Sequence, residues 1–233
     1  MLISKIQMED NLKLLQKQIE ESCTSCSRSS SEITLIWVSK FHPIELVEQA
    51  YALGARDFGE NRVQEAIEKF TTKQEGMRLH VIGPVQSNKL KKAVQVADSI
   101  HSVHSLKTLE RLNLFAKEAS KVLDVFIQVN TSEEDTKSGV SMDSIHEFLN
   151  EMPELENLNY KGLMTIGKNT GNPEDSRKGF AFLRKLRDEF YNSKTHFKNF
   201  SDLSMGMTDD LKVAIEEGST ILRVGTALFG NRN

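Results

Sequence analysis

Cysteine is almost missing from these 233 residues: Cys23 and Cys26 are the only two, too few and too close together to staple a chain of this length. A disulfide scaffold is thereby excluded. Long hydrophobic runs are missing too, since nothing approaches the roughly 18 apolar residues of a membrane helix. An excess of positive charge is absent: 30 Lys and Arg face 33 Asp and Glu, a formal charge of −3. Such a balance offers no large basic field to a phosphate backbone and argues against a dedicated nucleic-acid binder. The first 22 residues are amphipathic and well supplied with acids, unlike a signal or transit peptide. What is present is ordinary for a globular chain, with 38% hydrophobic and 27% charged residues, and the expectation is a soluble cytoplasmic protein with one core.

A single biased stretch, 22–31, holds six serines and both cysteines. It reads as a linker between a first amphipathic helix, about 7–21, and the first strand. Beyond it no composition break marks a boundary, so residues 1–233 read as one domain. Alternation follows. Short β-branched or apolar runs appear at 33–39, 56–58, 78–82, 99–103, 122–130, 158–164, 199–203 and 220–224, separated by segments of helical period such as 43–50 and 180–186. Gly54 and Gly218 each precede a strand, where a helix C-cap needs positive φ. The four prolines (Pro43, Pro84, Pro153, Pro173) all fall at inferred element boundaries. Eight strands alternating with helices predict parallel βα units. A closed (β/α)8 barrel with an extra N-terminal helix is the economical architecture, and a doubly wound open sheet is the alternative.

In a barrel, the site lies at the C-terminal strand ends. Two features there point to chemistry. Small hydroxyl and glycine residues follow strands seven (Ser204, Met205, Gly206, Met207, Thr208) and eight (Gly225, Thr226), as a phosphate cup requires. The competing reading is a pair of tight βα turns, with Thr208 and Asp209 as N-cap residues. Lys40 closes the apolar first strand, where partial desolvation would make its amine a nucleophile toward an aldehyde. Alone, it reads equally as a strand-end lysine reaching solvent. Together, an amine and a phosphate cup fit a ligand with an aldehyde at one end and a phosphate at the other, and pyridoxal 5'-phosphate has both. Asn61 and Arg223 are candidate partners for its ring. An arginine beside the ring nitrogen donates without surrendering its proton, which leaves the ring a weaker electron sink.

The chain resembles the pyridoxal phosphate homeostasis proteins, whose fold is similar to the N-terminal barrel of alanine racemase. The matching segments are VSK at 38–40, GARDFGENRVQE at 54–65, HVIGPVQSNKL at 80–90, VNTSEEDTKSG at 129–139, GLMTI at 162–166, LSMGMTDDLKVAIEEG at 203–218 and RVGTALFGNR at 223–232, in family order. The resemblance implies that Lys40 holds the cofactor as a Schiff base. It further implies that Ser204, Gly225 and Thr226 contact the phosphate, that Arg223 meets the ring nitrogen, and that Asn61 and Met205 complete the pocket. Phe41 departs from the usual threonine and Gly167 from a common proline, and Leu79-His80 is less bulky than the usual pair.

Three functions from different classes follow. The first is a non-catalytic carrier acting in intracellular pyridoxal phosphate homeostasis, with apo-enzymes that use the cofactor as candidate partners. The second is a small pyridoxal phosphate enzyme such as an amino-acid racemase. The third is a cofactor-free barrel enzyme that forms Schiff bases with a phosphorylated substrate. A racemase needs a second acid–base group facing Lys40. The related racemases take it from a C-terminal domain, whereas this sequence stops soon after its eighth strand. Tyr51 and Tyr191 fall on inferred helices, and Tyr160 starts the sixth strand. The expectation is therefore a carrier, and a monomer. The Cys23/Cys26 pair has no second pair for a zinc site. His101 and His104 read as the end of the fourth strand, His80 as a core or pocket-lining residue, and Lys89 and Lys137 as loop lysines.

Overall fold

A computed structural model describes residues 3–132 and 138–230. The loop lysine Lys137, part of the 129–139 segment and the last residues of the 223–232 segment lie outside the described residues.

The chain opens with α1 (Lys5–Ser25), started by a capping box between Ser4 and Gln7. There follow β1 (Thr34–Val38), α2 (Ile44–Ala52), β2 (Asp57–Glu60), α3 (Val63–Phe70), β3 (Arg78–Val81), α4 (Leu90–Val96), β4 (Ser99–Val103), α5 (Leu106–Glu118) and β5 (Leu123–Asn130). The second half runs β6 (Val140–Ser141), α6 (Ile145–Glu151), β7 (Leu158–Met164), α7 (Arg177–Phe190), β8 (Asp202–Ser204), α8 (Leu211–Glu216), β9 (Ile221–Val224) and α9 (Thr226–Phe229). Short 3₁₀ turns occupy Ser30–Glu32, Ser87–Lys89, Pro173–Ser176 and Thr195–Phe197.

Strand order β4-β3-β2-β1-β9-β8-β7-β5 closes on itself through parallel pairing of β4 with β5. Eight parallel strands therefore form a closed barrel, which rules out the open sheet. The two-residue β6 is an addition the sequence did not signal, pairing Val129 with Val140 at the tip of β5. All eight expected strands are present within a few residues of their predicted ends. Gly54 (φ +98°) and Gly218 (φ +92°) do turn the chain after α2 and α8.

The serine-rich stretch departs from expectation. Its first four residues continue α1 to Ser25 rather than forming a linker. The hydroxyls of Ser22 and Thr24 donate to the carbonyls of Gln18 and Glu20 one turn back, and Cys23 is buried in the core. Polar composition hid a helix whose small side chains bond to its own backbone.

Strand side chains alternate between two surroundings. Trp37, Phe58, Leu79, Val81, Ile100, Val125, Ile127, Leu163, Leu203, Leu222 and Val224 face outward into the apolar layer beneath the helices. Ile36, Val38, Phe126, Met164 and Ile221 face inward as a smaller cluster. Gly59 makes that inner cluster possible, because a Cβ there would lie 2.7 Å from Ile36 Cγ2. Helix α1 lies across α8 and α9, with Asn11 Nδ2 donating to Leu228 O at 3.1 Å.

Candidate cofactor site

The open mouth of the barrel holds a cavity of about 380 Å³ lined by Val38, Lys40, Asn61, Ile82, Ile166, Met207, Thr208, Asp209, Arg223, Gly225 and Thr226. Its size falls within the range of small-molecule sites, roughly 300–1,000 Å³. Five of the seven expected cofactor residues (Lys40, Asn61, Arg223, Gly225 and Thr226) meet there.

Lys40 is half-buried in the turn after β1, and that turn is anchored on both sides. Ser39 N donates to Gly59 O at 3.0 Å, and Ser39 Oγ donates to Glu60 Oε1 at 2.7 Å. On the far side Phe41 N donates to Glu65 Oε2 at 2.8 Å. Phe41 takes a left-handed φ of +65°, uncommon for a bulky residue, and the Arg62 guanidinium stacks 4.9 Å from its ring centroid. Beneath the turn, Lys69 Nζ binds Ser39 O and Glu60 Oε1, both at 2.8 Å, and Glu65 Oε2 at 3.4 Å. The Glu60 carboxyl is fully buried, and that burial pushes its pKa up against the opposing pull of Lys69.

Asn61 supplies a direct sign of a missing partner. Its Oδ1 is buried and bonds to nothing in the protein, although the residue lines the cavity. Arg223 is nearly buried, and burial lowers its pKa to about 10. Nη1 donates to Ser204 O (2.5 Å) and Ser204 Oγ (2.8 Å), and Nη2 donates to Thr165 O (2.8 Å). Gly225 permits a close approach between β9 and β1, since a Cβ there would lie 3.0 Å from Val38 O.

Two expected site residues stand behind the lining. Ser204 is fully buried with its hydroxyl held by Arg223, and Met205 is fully buried in the outer apolar layer. The N-cap of α8 is Asp210 rather than Thr208 or Asp209, and Asp210 Oδ1 accepts from Met207 N at 2.7 Å. Thr208 and Asp209 are thereby turned to the cavity. Ile82 and Ile166 were not among the expected cofactor residues: each lies one or two residues past its strand, where an apolar residue looks like strand continuation. Gly167 has no room for a side chain, because its Cβ would lie 2.3 Å from Asp210 Oδ2 and 2.5 Å from Ser176 Oγ.

His101 does not mark the end of β4. It is the middle residue, fully buried and stacked on Phe126 with ring centroids 4.1 Å apart. His80 is an inward-facing core residue. Tyr51 donates to Glu75 O from α2, Tyr160 is buried and donates to Pro153 O, and Tyr191 is the C-cap of α7 rather than a helical residue. Among the described residues no group of three or more His, Cys, Asp and Glu is placed to hold a metal, and no helix is long and apolar enough to cross a membrane.

The family model of the alanine racemase N-terminal domain matches residues 6–233. A pyridoxal phosphate homeostasis protein of Escherichia coli K12 is 38% identical over 228 residues, 96% of each chain. PipY from Synechococcus elongatus, solved without and with PLP, matches at 37% and 36% identity with TM-scores of 0.81 and 0.79, covering 91% of this chain and 100% of PipY. Alanine racemase of Clostridium difficile shares the fold alone, at 16% identity and a TM-score of 0.73 over 96% of this chain and 57% of the racemase. Taken together with the closed barrel and its lysine-bearing mouth, these matches make the chain a member of the pyridoxal phosphate homeostasis protein family.

Proposed function

We propose that this protein binds pyridoxal 5'-phosphate at the barrel mouth and serves as a non-catalytic carrier in intracellular homeostasis of that cofactor. The observation that carries the reading is the cavity itself. It sets a half-buried amine (Lys40), a buried amide oxygen without a partner (Asn61) and a buried guanidinium (Arg223) around one volume, with threonine hydroxyls and the start of α9 on one side. The cofactor offers an aldehyde, a phenolic hydroxyl, a ring nitrogen and a phosphate, one group for each feature. Lys40 would form the Schiff base, Asn61 Oδ1 would accept from the hydroxyl, and Arg223 would donate to the ring nitrogen. Gly225 and Thr226 would hold the phosphate. Ser204 would donate to a phosphate only by turning its hydroxyl hydrogen away from His101, and Met205 supports the wall from behind.

The carrier reading is favoured over a racemase by what faces Lys40. Besides Lys40 and Arg223, the one ionisable side chain in the cavity lining is Asp209, and the three tyrosines are engaged or placed elsewhere. We further propose a monomer of one domain, residues 1–233, working in the cytoplasm with apo-enzymes as recipients.

The test is a spectroscopic titration with pyridoxal phosphate. Wild type is expected to show a saturable yellow absorbance band that Lys40→Ala loses, with no racemase or transaminase turnover at protein concentrations far above those of an ordinary assay. An unchanged band in Lys40→Ala overturns the site, and turnover that vanishes in Lys40→Ala overturns the carrier.

A further inference from the structure

Behind Arg223 and Ser204 the barrel interior contains a line of polar side chains that the site chemistry above does not use. Arg223 Nη1 contacts Ser204 Oγ at 2.8 Å, and Ser204 Oγ lies 2.9 Å from His101 Nδ1. His101 Nε2 lies 2.9 Å from Ser99 Oγ, which lies 2.7 Å from His80 Nδ1. His80 Nε2 lies 2.9 Å from Asp57 Oδ1, at the first residue of β2 and so at the opposite end of the barrel. Ser204, His101 and Ser99 are buried to 1% exposure or less, and His80 to 4%.

A guanidinium at one end and a carboxylate at the other are both satisfied by one head-to-tail assignment of the bonds. A guanidinium has only donors, so Ser204 Oγ accepts from Arg223 and turns its own hydrogen to His101 Nδ1. His101 then carries its proton on Nε2 and donates to Ser99 Oγ. Ser99 donates onward to His80 Nδ1, and His80 donates from Nε2 to the Asp57 carboxylate. In this assignment both rings carry a proton on Nε2 and accept at Nδ1. Complete burial holds the His101 pKa well below the ordinary imidazole range, with the Arg223 charge adding to that effect. The bonds are aligned head to tail, so each polarises the next. The buried cation at the mouth is thus linked to a carboxylate at the far end without a direct ion pair.

We infer that His101 and His80, with Ser204 and Ser99, form a one-directional hydrogen-bond chain that holds Arg223 oriented toward the ring nitrogen of the bound cofactor, making the two histidines positioning residues of the site. The inference rests on the reading of the cavity as a pyridoxal phosphate site. The chain locks Nη1, leaving Nη2, with one hydrogen on Thr165 O, to reach the ligand. Without His101, Ser204 Oγ can rotate its hydrogen elsewhere, and Arg223 keeps only the carbonyls of Ser204 and Thr165 as fixed acceptors.

Two measurements test this. The first compares pyridoxal phosphate with its 1-deaza analogue, in which C–H replaces the ring nitrogen. His101→Phe is expected to weaken pyridoxal phosphate about tenfold while leaving the analogue within about twofold of wild type. Equal weakening of both ligands, or of neither, overturns the positioning role. The second needs no variant: long-range ¹H–¹⁵N spectra of histidine-labelled wild type at neutral pH. Both His80 and His101 are expected to carry a proton on Nε2 alone. A proton on Nδ1 of either ring contradicts the chain. Failure of wild type to bind pyridoxal phosphate would overturn the cavity reading and the ring contact together, and the spectra would still decide whether the chain exists.

Discussion

The two linings of the barrel strands are built on different principles. The outward face is a continuous apolar layer in which Trp37, Phe58, Leu79, Ile127 and Leu163 meet helix residues such as Leu46, Leu112 and Leu183. The inward face is divided between a small apolar cluster and the polar line from Arg223 to Asp57. The outer layer gains from area alone, so any apolar residue of suitable volume serves. The inner line gains nothing from area. Each member is there because its neighbour would otherwise be a buried polar group without a partner. Stability is concentrated in the first lining, and placement of the site residues in the second.

Substitutions separate the two. Phe197, fully buried in the aromatic cluster of Tyr160, Phe190 and Phe200, belongs to the outer layer near the lower end of β8. Phe197→Ala should cost about 3–5 kcal/mol in urea unfolding. The fraction that remains folded should bind pyridoxal phosphate as wild type does, and an altered affinity would break the division. Ser204→Ala should cost less, about 1–3 kcal/mol, because it strands His101 Nδ1 rather than opening a large cavity. Its effect on cofactor binding should exceed that of Phe197→Ala, which an equilibrium titration checks. Ser99→Ala should cost less still, under about 1 kcal/mol, since His101 Nε2 and His80 Nδ1 are 3.1 Å apart and can bond directly. A larger loss would show that the serine hydroxyl is an obligatory link.

The smallest effect concerns Glu60, whose folded-state pKa lies above its unfolded value because burial disfavours the charge. Between those two values the folded state binds more protons than the unfolded chain, so this group makes stability fall as pH rises. Urea midpoints of wild type against Glu60→Gln, followed upward from pH 4.5, should show the wild type losing ground to the variant. A difference that stays flat or grows in favour of wild type would mean that Lys69 outweighs the burial.

The same division explains what could be read from the sequence. Strand positions and the alternation with helices follow from apolar periodicity, which the outer layer imposes, and all eight barrel strands were legible in this way. Closure was not, because the pairing of Ser99 with Asp124 and Ile100 with Val125 joins strands whose sequences would suit an open sheet equally well. Lys40, Asn61, Arg223, Gly225 and Thr226 were legible as strand-end residues and through resemblance to a family. The inner line was not. His80 and His101 face inward by parity, but parity names a side and never a partner, and the contact of His101 with Ser204 spans 103 positions. Helix α1 was underestimated for the opposite reason, because serine and threonine that bond to their own turn look like a loop in composition.

The central claim is that one lysine among many carries the cofactor. Borohydride reduction of the protein with bound pyridoxal phosphate, followed by peptide mass mapping, tests it directly. The account predicts a single phosphopyridoxyl adduct, on Lys40. Adducts spread over surface lysines with Lys40 unmodified would contradict it.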